Sequence, residues 1–269
     1  MKKLNFFSIA MIVLISIVSL NTYGQDAEYQ PMYLTVTTTH WNDDPDVNFD
    51  KWLDDEKEYH EKVVMKNDLI ASSGVFMHYM TEDNTEVILV TVYKSWEDIE
   101  KSNEVTAKLI EEAWPNEDER KAYFDRKTSY YSAEHSDEIY QTMPYVINPD
   151  LPKDKSMIYY VRRSDLALDG QGSSKHFKEY FENITKKNNV AKGYYAHRHL
   201  WGSNAREFVE AYVFESLGEI EDYFKRTNEL VQEHWADEDE RKAFFKEFNK
   251  LFTGKHGDYI YRNVPELVK

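Results

Sequence analysis

His78 and His197 occupy corresponding places in two similar stretches of the chain, each inside an alternating run that reads as a strand. Alternation puts His78 on one face with Gly74, Phe76 and Met80, and His197 on one face with Tyr195 and His199. A neutral imidazole can act as base, proton carrier or metal ligand near neutral pH. If that face lines a barrel, the two imidazoles approach a common cavity; the competing reading is a hydrogen-bonded structural histidine, repeated because the fold is repeated. A third candidate is Glu210, which alternates with Phe208, Tyr212 and Phe214. A carboxylate among aromatics is costly to bury unless paired or protonated, so Glu210 is either edge-exposed or functional. His78, His197 and Glu210 are the candidate catalytic residues. His60, Phe76, Tyr93, Tyr195 and Tyr212 are the candidate ligand-binding residues. His60 stands where the other stretch has Phe181, which implies that two otherwise similar cavities differ. On the third strands, the faces Ile88, Val90, Val92 and Val209, Ala211, Val213 suit packing under helices.

Other constellations read as structure. Glu117 to Ala122 recurs as Glu238 to Ala243, and helix capping explains the block. Asn116 or Asp237 is the N-cap, Glu119 or Glu240 sits at N3, and the remaining acids favour the positive end of the helix dipole. Asp44, Asp46, Asn48 and Asp50 have the alternate spacing of a calcium loop, but Phe49 falls where that loop needs glycine in one register, and Lys57 where it needs the closing glutamate in the other. His135 and His256 lie before the last strand of each stretch, where a turn or cap role is expected. No nucleophile motif, phosphate-binding glycine loop or zinc spacing is present, and no metal site is expected. The chain has no cysteine, which excludes disulfides, thiolate metal sites and lipid-modified cysteine. A formal charge of −16 argues against nucleic acid and anionic membrane surfaces.

The elements that must position these residues come from an internal repeat. At an offset of 121, Trp114 to Phe124 meets Trp235 to Phe245, and His135, Asp137, Ile139, Tyr140 and Pro144 meet His256, Asp258, Ile260, Tyr261 and Pro265. Lys57, Glu58 and Tyr59 likewise meet Lys178, Glu179 and Tyr180; a two-residue slip brings Gly74 and His78 onto Gly193 and His197. The repeats span 32–145 and 157–266, with 146–156 as a connector containing Pro152. Residues 1–24 read as a cleavable signal peptide, with Lys2 and Lys3 before the apolar run Ile9 to Leu20. That run falls short of the roughly 20 residues a spanning helix needs. A secreted or periplasmic protein, free of the membrane after cleavage, is expected.

Each repeat reads strand, helix, strand, strand, helix, short helix, strand. Phe177, Tyr180, Phe181 and Ile184 make the first helix's apolar stripe in one repeat, and Trp52, Leu53, Tyr59 and Val63 in the other. Ser95 and Ser216 are the expected caps of the second helix. This is the ferredoxin-like βαββαβ order. The chain resembles the dimeric α+β barrel superfamily, with both halves in one polypeptide as an intramolecular pseudo-dimer. The resemblance covers nearly all of the mature chain and rests on element order and duplication. It implies an α+β fold and the superfamily's range of functions: cofactor-free monooxygenases of the antibiotic-biosynthesis type, stress-responsive barrels, and haem proteins similar to chlorite dismutase. The expected function is binding of a small apolar or aromatic molecule between sheet and helices, with cofactor-independent monooxygenase-like chemistry. Haem binding or a non-catalytic interaction role are the alternatives. The cofactor is unknown from sequence, and monomer and homodimer are both allowed.

Overall fold

The computed structural model describes residues 29–42, 48–148, 151–152, 154–168 and 172–269. The chain divides into the units Met1–Gln30 and Pro31–Lys269, and the fold below is that of the second. The expected signal peptide, and Asp44 and Asp46 of the calcium-like stretch, lie outside the described residues. No helix among the described residues is long and apolar enough to cross a membrane.

The first half runs β1 (Tyr33–Trp41), α1 (Phe49–Lys62), β2 (Ile70–Met80), β3 (Glu86–Tyr93), α2 (Trp96–Ala113), α3 (Glu117–Ser129) and β4 (Tyr131–Ile147). The second runs β5 (Ile158–Leu166), α4 (Ser174–Tyr180), β6 (Gly193–Trp201), β7 (Glu207–Phe214), α5 (Gly218–His234), α6 (Glu238–Phe248) and β8 (Phe252–Asn263). A π-helical turn, Phe181–Thr185, continues α4. Helix starts follow side-chain chemistry: the Asn116 side chain accepts from the Asp118 and Glu119 N–H groups, Asp237 from those of Asp239 and Glu240, Asn48 from those of Asp50 and Lys51, and Ser95 from that of Asp98. Ser216 is not the cap of α5. Leu217 holds that position without a side-chain bond, while the Glu219 carboxylate reaches back 2.7 Å to the Glu215 N–H.

The eight strands close into one antiparallel barrel in the order β1-β3-β2-β8-β5-β7-β6-β4. Each half contributes a four-stranded ferredoxin-like sheet, and the halves are sewn together by β2 with β8 and β4 with β6. β4 continues to Ile147, and Tyr145 near its end packs against Phe177 and Phe181 of the second half. Reciprocally, the residues after β8 return to the first half: Val264 N–H donates to the Val75 carbonyl, and Ser73 and Lys269 exchange backbone hydrogen bonds. His135 and His256 lie within β4 and β8 rather than before them.

Strand registers correct two expectations. Phe208, Tyr212 and Phe214 pack with Phe177, Phe181 and Tyr223 under the helices. The face of β7 read as helix-packed, Val209, Ala211 and Val213, therefore points into the barrel, as do Ile88, Val90 and Val92 of β3. Valine suits both environments, and only the aromatics on the opposite face reveal which one the helices cover. Second, Ile88 faces Phe76 while Val209, its equivalent 121 residues on, faces His197. The ungapped offset holds through β2 and β6. Phe76 is the counterpart of His197, and His78 that of His199.

Candidate functional site

Across the helix-covered face of the first half runs a row of paired residues, Ile139, Thr35, Thr91 and Ser73. The same row in the second half is Ile260, Tyr160, Tyr212 and Tyr194. Those three tyrosines are buried and interlocked, with ring centroids 5.5 Å apart for Tyr160 and Tyr212 and 4.9 Å for Tyr194 and Tyr212. Phe181 lies 5.6 Å from Tyr194, and Tyr223 of α5 lies 5.1 Å from Tyr212. Within this layer Glu210 accepts hydrogen bonds from Tyr194 (2.8 Å) and Tyr212 (2.9 Å) on one oxygen. Burial raises its pKa, against the opposing pull of the two hydroxyls and Arg162. Glu210 is thus a satisfied carboxyl in a filled layer. A cleft of roughly 470 Å³ among α4, α5 and α6 lies outside that layer, bounded by Tyr180, Thr227, Val231, Arg241 and Phe245.

The first-half face is lined differently. Thr35, Thr91, Leu89 and Ser73 stay only half-buried although they lie on a helix-covered sheet, and the Ser73 hydroxyl is buried without a partner. Thr37 donates to Asp137 at 2.6 Å, where the second half has Arg162 paired with Asp258 at 2.9 Å. His60 takes the place of Phe181 and is buried. Burial holds its pKa below the ordinary histidine value, and its ring hydrogen-bonds the backbone of Val268, next to the Lys269 that pairs with Ser73. Tyr93 is buried beside Tyr59, whose hydroxyl is pushed up to about 12 by burial and by the charge of Glu56. Where one half has three tyrosines, the other has two threonines and a serine. Short hydroxyl side chains stand on this face in the places that aromatic rings fill in the other half.

The remaining candidates face the lumen. The His197 ring lies parallel to that of Tyr195 at 6.4 Å, and burial pushes its pKa down to about 4. Phe76 meets Tyr159 at 4.8 Å, and His78 Nδ1 contacts the Thr81 hydroxyl at 2.6 Å. Around them the sequence reading missed a polar set: His199 with Glu138, Tyr140 donating to Glu207, Tyr261 donating to Glu86 at 3.0 Å, and Arg163 over the ring of Tyr259 at 5.3 Å. The structure thus divides the candidates. His78, His197, Phe76 and Tyr195 line the lumen, whereas Glu210, Tyr212, Tyr93 and His60 lie on the outer, helix-covered side of the barrel wall. His78 and His197 are not at equivalent heights.

No family model matches the sequence, and no curated protein matches it. Solved structures do match in shape. A candidate monooxygenase from Fusobacterium nucleatum superposes with a TM-score of 0.55 at 10% identity, covering 87% of this chain and 93% of that one. An anthrone oxidase-like protein gives 0.51 at 13% identity, covering 88% and 92%. A variant of chlorite dismutase from Candidatus Nitrospira defluvii gives 0.50 at 11% identity, covering 89% and 93%. The fold is that of the dimeric α+β barrel. At these identities the likeness carries the fold alone.

A dimeric α+β barrel of the haem-binding kind needs an axial ligand beside room for the macrocycle. The second-half face of this barrel is filled by its tyrosine row. His176 of α4 has a buried, unpartnered Nδ1, but its ring packs on Phe244 of α6 at 5.6 Å, away from the sheet. On that second-half face these residues do not fit an axial haem site, and in the first half His60 uses one ring nitrogen on the Val268 backbone.

Proposed function

We propose that this barrel binds a small, partly aromatic molecule bearing hydroxyl or carbonyl groups on the first-half face over Thr35, Thr91 and Ser73, and transforms it without a tightly held cofactor. One observation carries the reading: the Thr–Thr–Ser row stands where the other half is closed by three tyrosines. Apolar walls with a few convergent polar groups are what small-molecule sites present. Here those groups are the Thr35, Thr91 and Ser73 hydroxyls, Tyr93, and the neutral His60 imidazole.

His60 supplies a base suited to a weakly acidic carbon next to a carbonyl. It takes the proton, the carbanion passes electrons to dissolved dioxygen, and an activated methylene becomes a carbonyl with release of water, so that both oxygen atoms are accounted for. Like-folded proteins described as a candidate monooxygenase and as anthrone oxidase-like are consistent with such a substrate. An exported setting, read from Lys2, Lys3 and the run Ile9 to Leu20, belongs to the same proposal, and N-terminal sequencing of the exported protein tests it.

The deciding experiment titrates the protein with 1-naphthol and 1-tetralone by fluorescence, and follows oxygen uptake with anthrone. Thr35→Tyr with Thr91→Tyr copies the second half. It should abolish binding while the protein stays folded; undiminished binding in that variant would falsify the groove. Binding without oxygen uptake would keep the site and remove the catalytic role.

A further inference from the structure

Among the described residues, five buried side-chain polar atoms have no hydrogen-bond partner, and three of them, Arg163 Nε, His197 Nδ1 and His199 Nδ1, face the lumen from strands that flank β7. Folded proteins leave few such atoms unmatched, so three around one space call for a ligand or water. Arg163 and His197 both lie opposite Val209. At about 4.8 Å per strand their backbones stand roughly 10 Å apart, with only a valine side chain between them. His199 is the next inward position on β6, and its Nε2 contacts the Glu138 carboxylate. In the tautomer that gives its Nε2 proton to that contact, Nδ1 is an acceptor.

Aromatic walls complete the space. The Tyr195 ring lies parallel to His197, and Tyr259 lies under the Arg163 guanidinium. Gly257, opposite Arg163, permits this: a Cβ there would meet Tyr259 ring atoms and hydroxyl at 2.6–2.8 Å. Val161, Val209, Ala211 and Val36 point inward yet keep partial exposure, so the closed barrel retains accessible room at its centre. The charge balance selects the occupant. Burial works against the Arg163 charge, and Tyr261, Glu207, Tyr140 and Glu86 uphold it; with the carboxylates of both tyrosine–glutamate pairs already near the guanidinium, an anion is disfavoured.

We propose that the lumen over Val209 is a second binding site, for an uncharged single-ring phenol. Its oxygen accepts from Arg163 Nε–H and His197 Nδ1–H, its O–H donates to His199 Nδ1, and its ring lies between Tyr195 and Tyr259. The first half has no copy of this site. Thr38 stands at the place of Arg163, Phe76 at that of His197, and His78, the counterpart of His199, is turned to Thr81.

The test is a titration of the full exported protein with phenol, read by NMR of nitrogen-15 labelled imidazoles. His199 and His197 resonances should shift saturably with phenol and not with benzoate. His197→Phe, which copies Phe76, and Arg163→Met should each weaken binding at least tenfold, whereas Thr35→Tyr with Thr91→Tyr should leave it intact. That last arm separates this site from the groove. Should Arg163→Met fail to fold, His197→Phe alone decides. Unmoved His199 signals, wild-type affinity in His197→Phe, or a phenol-soaked crystal with only water on the three atoms would overturn the proposal.

Discussion

The Tyr261 hydroxyl of the second half donates to the Glu86 carboxylate of the first at 3.0 Å, and Tyr140 of the first donates to Glu207 of the second in the equivalent place. Each bond ties one half to the other inside the lumen. Tyr261→Phe and Tyr140→Phe each leave a carboxylate short of a donor and should cost about 1–3 kcal/mol. Urea unfolding of both variants checks this; a pair of neutral substitutions would show that the carboxylates are solvated instead.

Asn67 and Asn188 are a second repeated device. Both are fully enclosed, and their Nδ2 groups reach α2 at Ser102 and Thr106 (3.0 Å) and α5 at Tyr223 and Thr227 (2.9 Å). Asn188→Ala should destabilise by about 1–3 kcal/mol and raise amide exchange in α5. Exchange unchanged in α5 would mean the asparagine does not hold that helix.

Acid stability should turn on His197. Its folded pKa of about 4 lies below the ordinary 6.5, so the neutral form contributes stability above pH 6.5, and that contribution is lost as pH falls toward 4. His197→Phe should flatten this limb in urea midpoints measured from pH 4 to 7. A limb of unchanged slope would assign it to other groups.

Glu210 acts with the opposite sign. Its folded pKa is raised above the ordinary 4.5, so its contribution is full below that value and is lost as pH rises through the folded value. Glu210→Gln keeps an acceptor for Tyr194 and Tyr212 and should make the protein more stable at pH 8 than the native sequence. Lower stability at pH 8 would show that the carboxylate itself, with Arg162 and Asp258 nearby, holds the layer.

Removing residues 264–269 tests the returning arm. Val264 and Leu267 are buried with Trp52, and the Lys269 ammonium donates to the Val64 and Asn67 carbonyls at 2.9 and 2.7 Å. Loss of the arm should shift Trp52 fluorescence to the red and expose α1 to exchange, leaving α4 and α5 protected. Uniform destabilisation across both halves would refute so local a role.

The fold was legible because duplication repeats its punctuation: Asn116 and Asp237 cap equivalent helices, and Trp114 and Trp235 precede them. Which sheet face the helices cover was not legible from β3 and β7, since Val90 and Ala211 fit a lumen as well as a helix interface. The ungapped offset already pairs Phe76 with His197, and Thr91 and Ser73 with Tyr212 and Tyr194. The slip that matched histidine to histidine hid this, because chemical likeness was weighted above register. Arg163 gave no signal at all. It sits in an ordinary strand pattern, and only closure of the barrel turns it inward.

The arms that cross between the halves have an evolutionary consequence. In a homodimer of identical chains, any substitution that opens a cavity opens it twice, and the same cores must carry both losses. Two copies in one polypeptide are free of that constraint: one carries a dense tyrosine row, and the other carries short hydroxyl side chains in the same place.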